Sequence, residues 1–333
     1  MQIVINTYGA YIRRRGECFE IKADEKKQEI SAQKVGSLLI TTAVLISSDA
    51  LLLAHEHNID VIFLDKYGKP FSRVWHSKFG STTFIRRRQL EFSENEKGLA
   101  LAKGWIIEKL ENQIGLLEKL KRTRPKKQEE IERYIRSMSE KRDELFSLDA
   151  ENLNAARDKI FSTEALCGKT YFQAVNFIIP DRYSFSGRSR QPARDAFNAF
   201  LNYGYGILYS KTERACILSG LDPYIGFLHT DNYGKKSFVY DIIEIFRIHV
   251  DEVVIRLFSK RMVRDSMIRD IQNGVTLEKE GKETLIGDFN KAMEEKMRYR
   301  GRNIKKSNII EYECHRIANS FIGRNKDVDM VNI

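Results

Sequence analysis

The chain has 333 residues, 42% hydrophobic and 31% charged, enough apolar material for a packed core and too much charge for a membrane protein. With 20 glycines and 5 prolines, collagen-like, Pro-rich and Gly/Ser-linker architectures are excluded. Lys and Arg number 56 against 46 Asp and Glu, and the net charge of +10 favours a polyanionic partner, nucleic acid ahead of a membrane surface.

The opening Met1-Gln2-Ile3-Val4 has no basic stretch leading into an apolar one, so the expectation is a cytoplasmic protein without a secretory leader. Residues 1 to about 90 read mostly as strands. Ile3-Val4-Ile5 and the run 8–12 are short and apolar, closed by Arg13-Arg14-Arg15-Gly16. Cys18-Phe19-Glu20-Ile21 precedes a charged turn over 22–27, and 38–46 is rich in β-branched residues. The longest apolar stretch, 35–53, is interrupted by Ser37, Thr41, Thr42, Ser47, Ser48 and Asp49, so no membrane-spanning segment is expected. Ser48 is expected to cap a short helix through Ala50, Leu51, Leu52, Leu53 and His55. A strand over 60–64, a turn over 65–70 and a strand over 71–75 follow.

From about residue 91 the period becomes helical. Ile107, Leu110, Ile114, Leu117 and Leu120 form an amphipathic stripe. Residues 121–127, with Pro125 and five basic side chains, read as the turn of a charged helical hairpin that ends near 148. Further helices are expected around 155–176, 194–218, 238–270, 284–298 and 304–322, and a frayed tail over 323–333. The predicted fold is α+β: a small N-terminal mostly-β domain (1–88), a linker (89–104) and a larger all-α domain (105–333).

Nucleotide hydrolysis, dinucleotide binding, zinc-protease and esterase chemistry lack their sequence motifs. Cys18, Cys167, Cys216 and Cys314 form no CxxC pair, which argues against a disulfide scaffold or a cysteine zinc site. His55, His57, His76, His249 and His315 read as structural. His229 differs, because it closes a segment with two glycines and a proline, 220–229. In the apolar helix that follows, Asp241 and Glu244 stand three apart, hence on one face. Two acids on such a helix need partners. A hard divalent cation near His229 is one solution, and an ion pair with Arg247 is the other. Glu164, set among apolar and small residues, is a third acid. One imidazole with two or three carboxylates suits Mg²⁺ or Mn²⁺.

Basic and aromatic residues interleave around these acids. Arg182, Tyr183, Phe185, Arg188 and Arg190 share one loop, Tyr203, Tyr205 and Tyr209 follow, and Arg298, Arg300, Arg302, Lys305 and Lys306 cluster late. Arginine can grip phosphate and tyrosine can stack on an unpaired base. Arg182, Arg188, Arg190, Tyr205, Tyr209, Arg247, Arg298, Arg300 and Arg302 are therefore the candidate nucleic-acid contacts, DNA contacts under the resemblance given below. On these residues alone, a nucleic-acid-binding module whose acids form salt bridges remains an alternative to an enzyme.

The order Glu164, Tyr171-Phe172, NAFLNYGY (198–205), GLDPYIGFLH (220–229) and SFVYDIIEIFR (237–247) resembles the universal adaptation integrase of CRISPR–Cas systems, over the whole chain. That family consists of metal-dependent DNA endonucleases that insert new spacers in antiviral defence. The resemblance implies metal ligands at Glu164, His229 and Glu244, with Asp241 a further acid needed for activity. It implies homodimerisation through the β domain and a small ferredoxin-like companion subunit. It also implies double-stranded DNA with single-stranded ends as substrate, 3′-hydroxyl transesterification into the CRISPR array, and cutting of branched DNA. Ile245 and Ile248 stand where the family commonly carries proline, so a longer helix is expected here.

Overall fold

The computed structural model describes residues 2–23, 26–57, 59–64, 70–74, 82–230 and 233–323. The chain divides into two compact units, 1–80 and 81–333. The turn expected at 65–70 falls outside the described residues except at its last position. Trp75, His76 and all but the first residue of the expected tail also fall outside them.

The N-terminal unit holds two four-stranded sheets. In one, β1 (Gln2–Ile5) pairs parallel with β5 (Ser37–Ile40), β5 pairs parallel with β7 (Asp60–Leu64), and β8 (Pro70–Val74) closes the edge antiparallel. In the other, β2 (Tyr11–Arg15), β3 (Cys18–Ala23) and β4 (Lys26–Ser31) form an antiparallel meander, with β6 (Leu45–Ile46) parallel to β2. The stretch read as a charged turn is thus in part a strand: β4 is an edge, where charged side chains stay in water and discourage pairing with another chain. The run 38–46 is not one strand. It is cut where Thr41 bonds the Ile5 carbonyl through both its amide and its hydroxyl, sending β5 and β6 to different sheets. Helix α1 (Ser48–Glu56) is capped by Ser47, not Ser48, the Ser47 side chain accepting from the Ala50 amide. Ile3, Ile12, Phe19, Leu38, Leu53 and Val61 lie in this unit's core.

The second unit is helical, as expected, with two short hairpins added. Its helices are α2 (Thr82–Ser93), α3 (Glu96–Arg122), α4 (Gln128–Phe146), α5 (Leu153–Ile178), α6 (Ala196–Leu218), α7 (Ser237–Ser259), α8 (Lys279–Glu294) and α9 (Lys306–Phe321). Residues 89–104, read as a linker, lie within α2, α3 and the two-residue step between them. The helix expected over 238–270 stops at Ser259, after which Arg261 takes a positive φ of 54°. The β9–β10 hairpin (Ile268–Ile271 and Gly274–Leu277) follows. The helix expected over 284–298 starts and ends earlier as α8, leaving 296–305 to the β11–β12 hairpin (Lys296–Tyr299 and Arg302–Lys305).

Helix α7 is mostly apolar and buried nearly all round, which is the signature of a helix at the centre of a core. Helices α3, α6 and α8 pack on it. A Cβ at Gly204 on α6 would stand 2.5 Å from Val250 Cγ1, so this glycine lets α6 and α7 approach closely. With isoleucine at 245 and 248, α7 runs through without interruption. No described helix is long and apolar enough to cross a membrane.

Candidate active site

Helices α3, α5 and α7 bring Lys109, Glu164 and Glu244 together. Each helix reaches its position for local reasons: Asn95 and Asn152 cap α3 and α5 by accepting from Lys97 and Ala155 amides, and the apolar girth of α7 buries it. Glu244 is 6% exposed and Lys109 7%. The Lys109 ammonium contacts Glu164 Oε1 and lies 2.6 Å from Glu244 Oε2. Arg247 Nε donates to the other Glu244 oxygen at 2.8 Å. Burial pushes the Glu244 carboxyl up, but the Arg247 and Lys109 charges prevail and hold it at about 2, with a smaller pull from His229. Burial works against the charge on Lys109, and the two glutamates outweigh it, raising its pKa.

His229 sits on a loop whose backbone is held by side chains from three helices. Gln89 of α2, fully buried, donates to the Asp222 and Ile225 carbonyls at 2.9 and 3.0 Å and accepts from the Asp222 amide at 2.8 Å. Arg157 of α5 donates to the Phe227 carbonyl at 3.0 Å and to that of Leu228. Asp241 of α7 accepts the amides of Phe227, Leu228 and His229 at 2.6, 3.2 and 2.9 Å. The same carboxylate meets His229 Nδ1 at 2.7 Å. Since a carboxylate only accepts, Nδ1 carries a proton, and the tautomer this selects for a neutral ring is the one with the lone pair on Nε2. A Cβ at Gly226 would collide with the His229 carbonyl, so the loop can fold this tightly only with glycine there. Phe161 and Tyr240 flank the imidazole.

Glu164 and Glu244 form part of the wall of a cavity of about 500 Å³. Lys109, Lys169, Arg188, Arg190 and Arg247 make it cationic, and Phe172, Phe185 and Tyr205 give it aromatic faces. Arg188 donates to Asn198 and, at 2.9 Å, to Asn202, and its guanidinium lies over the Phe172 and Tyr205 rings. Arg247 stacks on Tyr205 at 4.6 Å. The Tyr205 hydroxyl in turn donates to Asp251, as does that of Tyr171 at 3.1 Å.

Of the residues singled out in the sequence, Glu164, Glu244, Arg188, Arg190, Tyr205 and Arg247 therefore share one cavity. Asp241 is spent on the His229 loop, and His229 is not in the cavity lining. Arg182 pairs with Asp265 at 3.1 Å, Tyr209 rests against Tyr240, and Arg302 lies over Tyr312. Arg300 binds Glu108 and the fully buried Glu313, and Arg298 is exposed on β11. Sequence reasoning passed over Lys109 and Gln113. Their signal is two polar residues inside the buried stripe Ala102, Ile106, Leu110, Leu117 of α3.

Among the described residues no three His, Cys, Asp or Glu side chains are set closely enough to form a ready cation site. The donor chemistry nevertheless fits one. Glu244 Oε2 is buried and accepts no aligned hydrogen bond, and a positive charge already sits between two carboxylates. The Glu164, Glu244 and His229 groups are the oxygen and imidazole donors that Mg²⁺ or Mn²⁺ accept.

The family model for CRISPR associated protein Cas1 matches residues 3–291. The CRISPR-associated endonuclease Cas1 1 of Archaeoglobus fulgidus is 32% identical over 322 residues, 93% of each chain. Among solved structures, a casposase bound to integration product superposes with a TM-score of 0.81 at 22% identity, covering 99% of this chain and 93% of that one. A chain of a Cas6-RT-Cas1–Cas2 complex gives 0.76 at 20% identity, covering 98% of this chain and 35% of that one. On the matched model and this relative, the chain belongs to the Cas1 family of CRISPR-associated proteins.

Proposed function

We propose that this chain is a cation-dependent DNA endonuclease and integrase of CRISPR adaptation, acting by 3′-hydroxyl transesterification. The observation that carries the reading is the convergence of Glu164 and Glu244, from separate helices, on one ammonium in the wall of a cationic cavity. The names of the Archaeoglobus relative and of the casposase support it. Glu164, Glu244 and His229 Nε2 would hold Mg²⁺ or Mn²⁺, which when bound would polarise a phosphodiester and offset charge on the leaving oxygen.

The chain's own residues do the rest. Arg188, Arg190 and Lys169 attract the phosphate backbone, and the Phe172 and Tyr205 rings, covered by the Arg188 and Arg247 guanidiniums, hold those two cations in place. Asp241 keeps the proton of His229 on Nδ1 and orients the ring. The incoming 3′-oxygen bonds to phosphorus, the bond from phosphorus to the 3′-oxygen of the cut strand breaks, and the attacking hydroxyl's proton ends on the released one. One phosphodiester replaces another, so no nucleotide is hydrolysed. The same site acting with water would cut branched DNA.

The Cas6-RT-Cas1–Cas2 complex supports a companion subunit, to which we assign a small ferredoxin-like fold, and we assign homodimerisation to the β unit. Glu164→Ala is the decisive variant: strand transfer should vanish while a gel shift with splayed duplex DNA is kept. Retained strand transfer removes Glu164 from the site. Activity indifferent to a chelator, with binding that falls steeply with salt, would instead favour the binding-module reading.

A further inference from the structure

Lys109 has no part in the chemistry proposed above, yet it is the most buried cation of the site. Its ammonium touches Glu164 and stands 2.6 Å from Glu244 Oε2. Glu244 Oε1 is already taken by Arg247. Two acids therefore face two basic groups, and the cluster is neutral as it stands. Without Lys109, Glu164 would repel the buried Glu244 at a site that water screens only from the cavity side. A Mg²⁺ ion would draw its carboxylate oxygens closer, to about 2.0–2.1 Å, but it would sit between the same two carboxylates that the ammonium now joins.

We propose that Lys109 is a tethered stand-in for the divalent cation: it holds Glu164 and Glu244 in register in the unloaded protein and is exchanged for the ion on loading. The inference rests on the cation reading above. Released, the ammonium has somewhere to go, because Lys109 also lines the cavity. There it would join Arg188 and Arg190 in facing the phosphate. The device trades affinity for preorganisation. The ligands stay paired without the ion, and the ion must compete with a built-in charge.

The test uses the full chain and Mn²⁺ alone. Free Mn²⁺ is followed by electron paramagnetic resonance in titrations of wild type, Lys109→Met and Glu244→Gln. Lys109→Met should bind Mn²⁺ at least tenfold more tightly than wild type, and should unfold at lower temperature until Mn²⁺ is added. In wild type, acetylation of Lys109 by acetic anhydride, read by mass spectrometry, should speed up several-fold when Mn²⁺ is present. If Lys109→Met does not fold, this labelling decides by itself. Mn²⁺ binding that Glu244→Gln abolishes, combined with unchanged Lys109 labelling, overturns the stand-in role and leaves the cation reading intact. No Mn²⁺ binding by wild type or by Lys109→Met overturns the cation reading, and the stand-in falls with it.

Discussion

Asp241 Oδ1 accepts both the backbone amide and the ring Nδ1 of His229, at 2.9 and 2.7 Å, so one carboxylate sets the loop and the tautomer together. Asp241→Asn keeps the shape but turns an acceptor-only group into one with two donors. One of those donors must then face amides or Nδ1–H. The expected cost is about 2–4 kcal/mol of stability, because charge-assisted bonds are lost and buried donors are left facing each other. With His229 in the metal-binding role proposed above, strand transfer should fall by about 10–100-fold, the usual effect of disturbing the group that orients a ligating histidine. Chemical denaturation, the rate assay and nitrogen NMR of the imidazole tautomer check the three parts separately.

Two buried groups on α7 should give the protein opposing pH responses. Burial pushes Asp251 up to about 6, against bonds from Tyr205 and Tyr171 that pull it down. Burial also pushes His249 down to about 4, helped by the Lys306 charge. The folded Asp251 keeps its proton where an unfolded one has lost it, so between about pH 4 and 6 its contribution falls as pH rises. Folded His249 stays neutral where an unfolded one is charged, so between about pH 6.5 and 4 its contribution falls as pH falls. Each effect is on the order of 3 kcal/mol at full extent. Urea midpoints at several pH values should show Asp251→Asn losing stability on acidification more steeply than wild type. Relative to wild type, His249→Gln should gain stability from pH 6 to 4. Parallel curves for all three proteins would remove both groups from the balance.

Arg188 and Arg190, two residues apart, should fail in different ways. Arg188 is tied to Asn198 and Asn202 and covers two rings, whereas Arg190 is exposed at the cavity wall. Arg190→Ala should weaken DNA binding at low salt and reduce the salt slope by about one, with unfolding unchanged. Arg188→Ala should lower stability by about 2 kcal/mol as well, since it deprives the buried Asn198 oxygen of a donor. Binding isotherms at three salt concentrations beside thermal melts separate the two.

How far the sequence could be read depended on whether the signal was local. The apolar girth of α7 and the glycine-punctuated loop before it are local, and both the helix start and the singular position of His229 were legible. The end of α7 was not, because the apolar pattern continues past Ser259 through Met262 and Val263 and the stop is a backbone turn at Arg261. Likewise β4 looks like a turn from its charges, and only pairing with β3 makes it a strand. The acids of the site were visible as misfits on apolar helices. Their partner was hidden, because Lys109 is a misfit of the same kind on a helix rich in charge, where one more lysine draws no notice.

Gln89 offers the most distant handle on the site. It is fully buried on α2, and its amide group makes three bonds to the backbone at Asp222 and Ile225, in the loop that ends at His229. Gln89→Ala strands two carbonyls and one amide and leaves a void. Losing these bonds should cost about 3 kcal/mol, each being worth about 1 net and an orphaned buried group more. Gln89→Glu keeps the size but replaces the donor with acceptors facing two carbonyls, and should be no better. If the loop is held as a unit, Gln89→Ala should also slow strand transfer while leaving DNA affinity within twofold of wild type, since Gln89 is not among the cavity-lining residues. Rates measured well below each variant's melting temperature keep the two effects apart. A slowed rate that recovers on cooling would show that Gln89 serves stability alone.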